Sequence, residues 1–254
     1  MKLRGVLLDL DGTLVDHEAA VADALRAWLP SLGVSAHVDA LAVWSTASER
    51  HLVDWRERRV TFQEQRRRRL RDFLLVAGVP FIDDDEHLDR IFDGYLRCYE
   101  ASWRAFDDVD EALTAIDRAG LRTAVLTNGT VEQQNAKLAR VGLAGRVGPV
   151  YTAEELGAAK PAAGAYLAAC QRWGLSPAAV LHVGDRYDLD VEAARVAGLR
   201  AVHLDRNNEG HAHDRGQIAS LRELAGLLPR TDRQYPLHDA HLDAVVDVDA
   251  ERSL

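Results

Sequence analysis

The chain has little cysteine and no long hydrophobic run. Its two cysteines, Cys98 and Cys170, are too few for a disulfide framework and suit a reducing cytoplasm. No apolar segment approaches the length of a membrane span, and Asp9 and Asp11 interrupt the only early hydrophobic stretch, where a signal peptide needs continuity. We therefore expect a cytoplasmic protein with no membrane partner.

Lysine is also scarce. Only Lys2, Lys137 and Lys160 are lysines among 31 lysine and arginine residues, so each of them merits inspection. The 40 acidic residues bring the net charge to -9, which argues against a nucleic-acid partner. With 47% hydrophobic residues the chain has the composition of a globular protein, and its 254 residues suit one large α/β domain or a core with a smaller insert.

The hydrophobic pattern places a block of helices inside an alternating region. Residues 4–10 form a predicted buried strand, whereas residues 15–103 show helical periodicity with almost no strand signal. The helices predicted in this block are Glu18–Leu32, Ala40–Asp54, Thr61–Ala77 and Asp85–Trp103. Four helices of this size make a small bundle.

Strands and helices alternate after residue 104. The predicted strands are 122–126, 150–152, 180–183 and 200–204, and the predicted helices are 109–119, 131–141, 162–173, 191–197 and 218–228. Such alternation predicts a Rossmann-like, three-layer α/β core with a parallel sheet. We predict that residues 1–14 and 104–229 form this core, that residues 15–103 form an inserted four-helix domain, and that residues 230–254 form a loosely ordered tail.

Two carboxylates, Asp9 and Asp11, follow the first predicted strand. In an extended strand, residues two apart point to the same face of the sheet. Two like charges placed together need a cation, a proton or a hydrogen-bond network for compensation. The pair therefore predicts a divalent metal site or an acid–base role.

More polar residues follow the other strands of the predicted sheet. Because ligands of open parallel sheets bind outside the carboxyl ends of the strands, these residues are expected to share one site. They are Thr127, Asn128, Lys160, Asp185, Asp188 and Asp190. Asp188 is interpreted as a helix cap or a solvated side chain rather than as a functional residue.

Four of these motifs, in their order along the chain, resemble those of the haloacid dehalogenase superfamily of aspartate-nucleophile phosphohydrolases. They are Asp9-Leu10-Asp11-Gly12-Thr13-Leu14, Leu126-Thr127-Asn128-Gly129, Lys160-Pro161, and Gly184-Asp185 through Asp190. The resemblance covers about residues 4–228 and implies that the inserted helices are a cap. It also implies a small phosphorylated metabolite as substrate.

The resemblance implies a role for each carboxylate. Asp9 would be the nucleophile that accepts the phosphoryl group, and Asp11 the general acid and base. Mg²⁺ would be held by the Asp9 carboxylate, the Asp11 backbone carbonyl and Asp185. Asp190 would either bind metal-bound water or hold Lys160.

The phosphate group has its own implied ligands. Thr127 would donate its hydroxyl to a phosphate oxygen, and the Asn128 region would add a backbone donor. Lys160 would neutralise charge in the transition state as a compact cation.

The resemblance also leaves other reactions of the same fold as alternatives to a phosphatase. Dehalogenation is disfavoured by Asp11, since haloacid dehalogenases typically carry an aromatic residue there. Phosphonoacetaldehyde hydrolysis needs a cap lysine, and residues 15–103 contain none. A sugar-phosphate mutase of the β-phosphoglucomutase type is weakened by Val21, where a cap histidine is expected. A catalytically inactive binding or regulatory protein is the alternative outside enzymes. The sequence specifies neither the substrate molecule nor the oligomeric state.

Overall fold

The computed structural model describes residues 1–34, 39–208 and 216–229, and its centre is a sheet of five parallel strands. The strand order is β3-β2-β1-β4-β5. The strands are β1 (Gly5–Leu8), β2 (Arg122–Thr127), β3 (Val150–Thr152), β4 (Val180–Gly184) and β5 (Arg200–His203). The predicted α/β fold with a parallel sheet is confirmed, because each predicted strand is present.

Ten helices accompany these strands in the described part of the chain. They are α1 (His17–Trp28), α2 (Ala40–Arg56), α3 (Phe62–Ala77), α4 (Asp85–Ala101), α5 (Val109–Arg118), α6 (Val131–Arg140), α7 (Ala153–Leu156), α8 (Ala163–Trp173), α9 (Ala193–Val196) and α10 (Leu224–Leu227). The sequence did not predict α7, whose four residues are too few to show helical periodicity. None of the helices is long and apolar enough to cross a membrane within the described residues.

The sheet is covered on both faces by apolar side chains, as its hydrophobic strands require. On one face, Val6, Leu8 and Val125 pack in a cluster with Leu113 and Ile116 of α5. The other face packs against α8 and α9, through residues that include Leu7, Leu126, Tyr166, Trp173 and Ala194. The result is the predicted arrangement of three layers.

Helices α1 to α4 form a separate apolar cluster, here called the helical block. Its centre contains aromatic rings, with Trp44 4.2 Å from Tyr95 and 5.3 Å from Phe73 between ring centroids. Each helix starts at a side chain that accepts a hydrogen bond from a backbone N–H of the first turn, which stabilises the helix end. These capping residues are Asp16, Asp39, Thr61 and Asp84.

Two adjacent chain segments join the helical block to the sheet. Asp16 donates its backbone N–H to the Arg104 carbonyl at 3.0 Å, and Phe106 donates to the Leu14 carbonyl at 3.1 Å. Val15 and Ala105 form the antiparallel bridge between them. The segments by which the chain leaves the sheet and returns to it therefore lie side by side.

Three predicted helices differ in detail from the structure. The first ends at Trp28 and continues as a 3-10 turn, Leu29–Leu32, because Pro30 has no N–H for an α-helical bond. The helix predicted at 191–197 is preceded by a π-helical turn, Tyr187–Glu192. The helix predicted at 218–228 begins at residue 221, since Ser220 and Glu223 form a capping box there. The tail predicted at 230–254 lies outside the described residues.

Candidate active site

A buried ammonium group joins two of the predicted carboxylates at the carboxyl ends of β1 and β4. Lys160 Nζ lies 2.5 Å from Asp9 Oδ1 and 2.6 Å from Asp190 Oδ1. The lysine is only 3% exposed, so water contributes little to its solvation. Both carboxylates are therefore placed against a cation that the apolar surroundings cannot screen.

The two partners of Lys160 have opposite pKa shifts. Burial and the nearby Asp190 charge raise the pKa of Asp9 to about 7, although Lys160 acts in the opposite direction. Burial would also raise the pKa of Asp190, but Lys160 and His182 outweigh it and hold that pKa below its ordinary value. Asp190 is thus the permanently charged partner of Lys160.

The Asp190 carboxylate is hydrogen-bonded to other groups of the protein. His182 Nε2 lies 3.1 Å from Asp190 Oδ1, and the backbone N–H of Arg186 donates to Oδ2 at 3.1 Å. The π-helical turn gives Asp190 this position, against Gly184, where a Cβ would lie 2.3 Å from the Asp190 Cγ. Of the two roles the sequence left open for Asp190, its contacts favour holding Lys160.

Asp185 has one carboxylate oxygen without a partner. Its Oδ1 is buried and has no hydrogen-bond partner among the described residues, and its backbone carbonyl contacts His203 Nε2 at 2.9 Å. Gly12, with a φ of 90°, comes so close that a Cβ there would lie 2.2 Å from Asp185 Oδ2. Burial and the charges of Asp9 and Asp190 raise the pKa of Asp185 well above its ordinary value.

Carboxylate oxygens of Asp9, Asp185 and Asp190 lie within 4.8 Å of one another. This all-oxygen set suits a hard divalent cation such as Mg²⁺. The unpartnered Asp185 oxygen supports a cation ligand at this position, because buried polar atoms are nearly always paired. The residues therefore fit the metal that the sequence predicted, with Asp9 and Asp185 the better donors.

The end of β2 carries Thr127 and Asn128, and both are held by other side chains. Gln134 of α6 donates from Nε2 to Thr127 Oγ1 at 3.0 Å and to the Asn128 carbonyl at 3.2 Å. Since Thr127 accepts this bond, its hydroxyl proton is available to a ligand. The Asn128 side chain instead exchanges two hydrogen bonds with the Lys160 backbone, at 2.8 and 2.9 Å. Asn128 therefore fixes the lysine loop, and only its backbone N–H is left for the predicted contact with phosphate.

Asp11 faces a different cation from Asp9. Lys137 Nζ of α6 lies 2.5 and 2.8 Å from the two Asp11 carboxylate oxygens. Burial would raise the pKa of Asp11, but the Lys137 charge outweighs it and lowers that pKa. The strand itself ends at Leu8, so the simple alternation that predicted a shared face for Asp9 and Asp11 does not apply beyond it. The chain bends at Gly12, and each aspartate has its own lysine.

A cavity of about 760 Å³ opens beside these residues, between the ends of β1, β4 and β5 and the start of α1. Asp11, His17 and Asp185 are among the side chains in its wall. Asp188 is also there, but it is exposed and its charge faces Arg186 Nε at 3.5 Å. The interpretation of Asp188 as a solvated residue agrees with this position, although it caps no helix.

Sequence reasoning missed three buried polar residues of the site, namely Gln134, Lys137 and His182. A signal existed for Lys137, because lysine is rare in this chain and residue 137 lies three positions after Gln134, on the same face of a helix. No sequence signal pointed to His182, which lies fully buried in the middle of an apolar strand. Its role depends on the contact with Asp190, which the periodicity of the strand does not reveal.

Comparison with known proteins places the chain among hydrolases. A family model described as haloacid dehalogenase-like hydrolase matches residues 3–198. Phosphoglycolate phosphatase of Shigella dysenteriae serotype 1 is 30% identical over 264 residues, which cover 93% of this chain and 98% of that enzyme.

Solved structures share the fold. A magnesium-bound HAD-hydrolase of Bacillus subtilis is similar with a TM-score of 0.75 and 22% identity, over 90% of this chain and 99% of the other. A 2-haloacid dehalogenase of Pseudomonas syringae has a TM-score of 0.61 and 26% identity, over 89% and 97% of the two chains.

Proposed function

Because the chain belongs to the haloacid dehalogenase-like hydrolase family, we propose that it is a Mg²⁺-dependent phosphatase that hydrolyses a small phosphomonoester through an aspartyl-phosphate. The observation that carries the proposal is the position of Asp9, a buried carboxylate at the end of β1 with Lys160 Nζ 2.5 Å away. A carboxylate can attack phosphorus and leave again, which divides one difficult displacement into two easier ones.

In the first step, an Asp9 oxygen forms a bond to phosphorus while the bond from phosphorus to the leaving oxygen breaks. The protonated form of Asp11 gives its proton to that leaving oxygen. Lys160 neutralises part of the charge on the transferring phosphoryl group, and the Thr127 hydroxyl donates to one of its oxygens.

In the second step, water attacks phosphorus, and its proton passes to the Asp11 carboxylate. The bond between phosphorus and the Asp9 oxygen breaks, which releases phosphate and restores both aspartates. The Lys137 charge favours the carboxylate form of Asp11 that this step requires. Asp190 acts only through Lys160, by holding the ammonium group beside Asp9.

The metal has candidate ligands in the Asp9 and Asp185 carboxylates and the Asp11 backbone carbonyl. Bound there, Mg²⁺ would offset the negative charge of the phosphate and the clustered carboxylates. The unpartnered Asp185 Oδ1 supports this assignment.

The helical block is proposed to act as a cap that selects the substrate. It is attached through two neighbouring segments, which meet at the bridge between Val15 and Ala105. One ion pair also joins it to the core, between Glu49 Oε2 of α2 and Arg186 Nη1 at 3.3 Å. The cavity between these parts can hold a small phosphorylated metabolite.

The test is a screen of the purified protein against a panel of phosphomonoesters that includes 2-phosphoglycolate and phosphoserine, with Mg²⁺ and with EDTA. We expect phosphate release that needs Mg²⁺, is lost in Asp9→Asn and is retained in the matched variant Asp117→Asn, which changes an exposed aspartate of α5 outside the cavity. Full activity in Asp9→Asn would overturn the mechanism. Release of halide from 2-haloacids, without phosphate release from any ester, would overturn the assignment as a phosphatase.

A further inference from the structure

Lys137 is a second buried lysine whose surroundings involve both the core and the helical block. The side chain is 2% exposed, and its ammonium group contacts both Asp11 oxygens and the phenolic oxygen of Tyr99, the last at 3.3 Å. The faces of Tyr99 and Trp103 enclose the same group, with ring centroids at 5.5 and 5.4 Å. All three N–H donors of the ammonium group therefore have a partner, and two aromatic rings enclose the group.

A residue of α1 also holds the Tyr99 ring in place. His17 Nδ1 lies 2.7 Å from the Tyr99 phenolic oxygen, so the ring that contacts Lys137 is itself held by the first residue of α1. Asp11 is more open, with 26% of its side chain exposed, and it lines the cavity. Lys137 and the cavity therefore lie on opposite sides of the Asp11 carboxylate.

The choice of lysine at this position is informative in a chain that uses arginine almost everywhere. Two of its three lysines are buried at this one site, each beside an aspartate of the first motif. A compact ammonium group fits between two rings and a carboxylate, where the flat guanidinium fork of arginine needs more room. Burial of a charged side chain costs free energy, so we expect the buried Lys137 to have a function that offsets this cost.

We propose that Lys137 is a positioning residue that holds the Asp11 carboxylate facing the cavity for hydrolysis of the aspartyl-phosphate. The inference rests on the proposed function, and it concerns the second step. By binding both oxygens from behind, Lys137 restricts rotation of the Asp11 side chain. The outward lone pairs of the carboxylate are left to take the proton of the attacking water.

The kinetic test uses p-nitrophenyl phosphate, whose leaving group departs without a proton from Asp11. In Lys137→Met we expect the first turnover to stay close to the wild-type rate, while hydrolysis of the phosphoenzyme slows about 10- to 100-fold. The result is a burst of p-nitrophenol followed by a slow steady state, and a phosphorylated protein by intact mass. The matched control Arg140→Met removes an exposed cation from the same helix and should behave like the wild type.

A double-variant cycle separates positioning from loss of structure. If Lys137 acts through Asp11, Lys137→Met should change phosphoenzyme hydrolysis by less than about twofold in an Asp11→Asn background, since groups that act as a unit are non-additive. A variant that is merely less stable would lose the burst and the steady state in proportion, and that result would refute the proposal.

A second readout does not depend on activity. With lysine-selective ¹⁵N labelling the chain has three side-chain signals, and the Lys137 signal is the one absent from Lys137→Met. We expect it to move in Asp11→Asn and to stay in place in Asp188→Asn. An unmoved signal refutes the contact. If the wild type hydrolyses no phosphomonoester, the proposed function fails. If the wild type hydrolyses a phosphomonoester and Lys137→Met does so at the same rates, only the inference about Lys137 fails.

Discussion

Replacement of Asp9 by asparagine should abolish phosphatase activity and yet stabilise the metal-free protein at alkaline pH. The Asp9 carboxyl is 6% exposed, and its pKa is raised from 3.8 to about 7 by burial and by the Asp190 charge. The folded protein therefore binds this proton more tightly than the unfolded chain does. The contribution of Asp9 to stability falls as the pH rises from about 4 to 7, and the full penalty applies above pH 7.

The size of the effect follows from the pKa difference. A shift from 3.8 to about 7 corresponds to roughly 4 kcal/mol of destabilisation once Asp9 is charged, at about 1.4 kcal/mol per unit. Asparagine avoids this penalty, in which the attraction of Lys160 is already included, but it places an amide N–H group without a partner in the buried site, which costs about 2 kcal/mol. A net gain of about 2 kcal/mol remains, which corresponds to a rise in Tm of about 4–8 °C for a protein of this size.

The assay is thermal unfolding of wild type and Asp9→Asn in EDTA at pH 5, 6, 7 and 8. We expect the Tm advantage of the variant to grow between pH 5 and 8, and to shrink when excess Mg²⁺ is added, because a bound cation compensates the Asp9 charge in the wild type. Asp188→Asn, an exposed aspartate nearby, should show no such trend. A Tm advantage of the variant that stays the same from pH 5 to 8, or that declines, would show that the pKa of Asp9 is not raised in the folded protein.

Three further changes follow from the same contacts. Asp108→Ala removes the buried partner of Arg206 (2.8 Å) and of the Leu221 N–H (2.9 Å), so the free energy of unfolding should fall by about 3 kcal/mol in urea titrations. Burial would raise the pKa of Asp108, but its hydrogen bonds outweigh burial and lower that pKa. The loss of stability in Asp108→Ala should therefore be full at neutral pH and should shrink in acid, where the wild-type carboxylate becomes protonated. Asn128→Ala frees the lysine loop and should lower kcat about tenfold, measured at saturating substrate with Mg²⁺. Asp185→Asn should lose the Mg²⁺-dependent rise in stability, which in the wild type is about 2.7 kcal/mol at 100 times Kd by calorimetry.

Local patterns predicted the sheet and the edge where the site lies. Apolar runs bounded by glycine and polar residues define strands on short-range information alone, and parallel strands bring their carboxyl ends together. That argument is enough to place Asp9, Thr127 and Asp185 near one another. It also places Lys160 in the same region, because its loop follows β3.

Pairing within the site could not be predicted in the same way. Which lysine faces which aspartate depends on how the chain leaves β1, and Gly12 turns it at a φ of 90° that the alternation of a strand does not include. Lys137 contacts Asp11, 126 positions away in the sequence, and His182 contacts Asp190, 8 positions away, and neither Lys137 nor His182 stands at a strand end. Periodicity reports the face of a residue but not the partner across a tertiary contact.

The four aspartates of the site form two pairs by the direction of their pKa shifts. Asp11 and Asp190, whose pKa values are lowered, each have a buried lysine as a close partner. Burial and the neighbouring carboxylates raise the pKa values of Asp9 and Asp185, and Lys160, which Asp9 shares with Asp190, does not offset this. A divalent cation bound by this second pair would supply the positive charge that favours their ionised forms. Because environments that push pKa values apart are typical of catalytic carboxylates, this division supports the proposed metal ligands Asp9 and Asp185, and it leaves Asp11 and Asp190 as the carboxylates that the lysines hold in place.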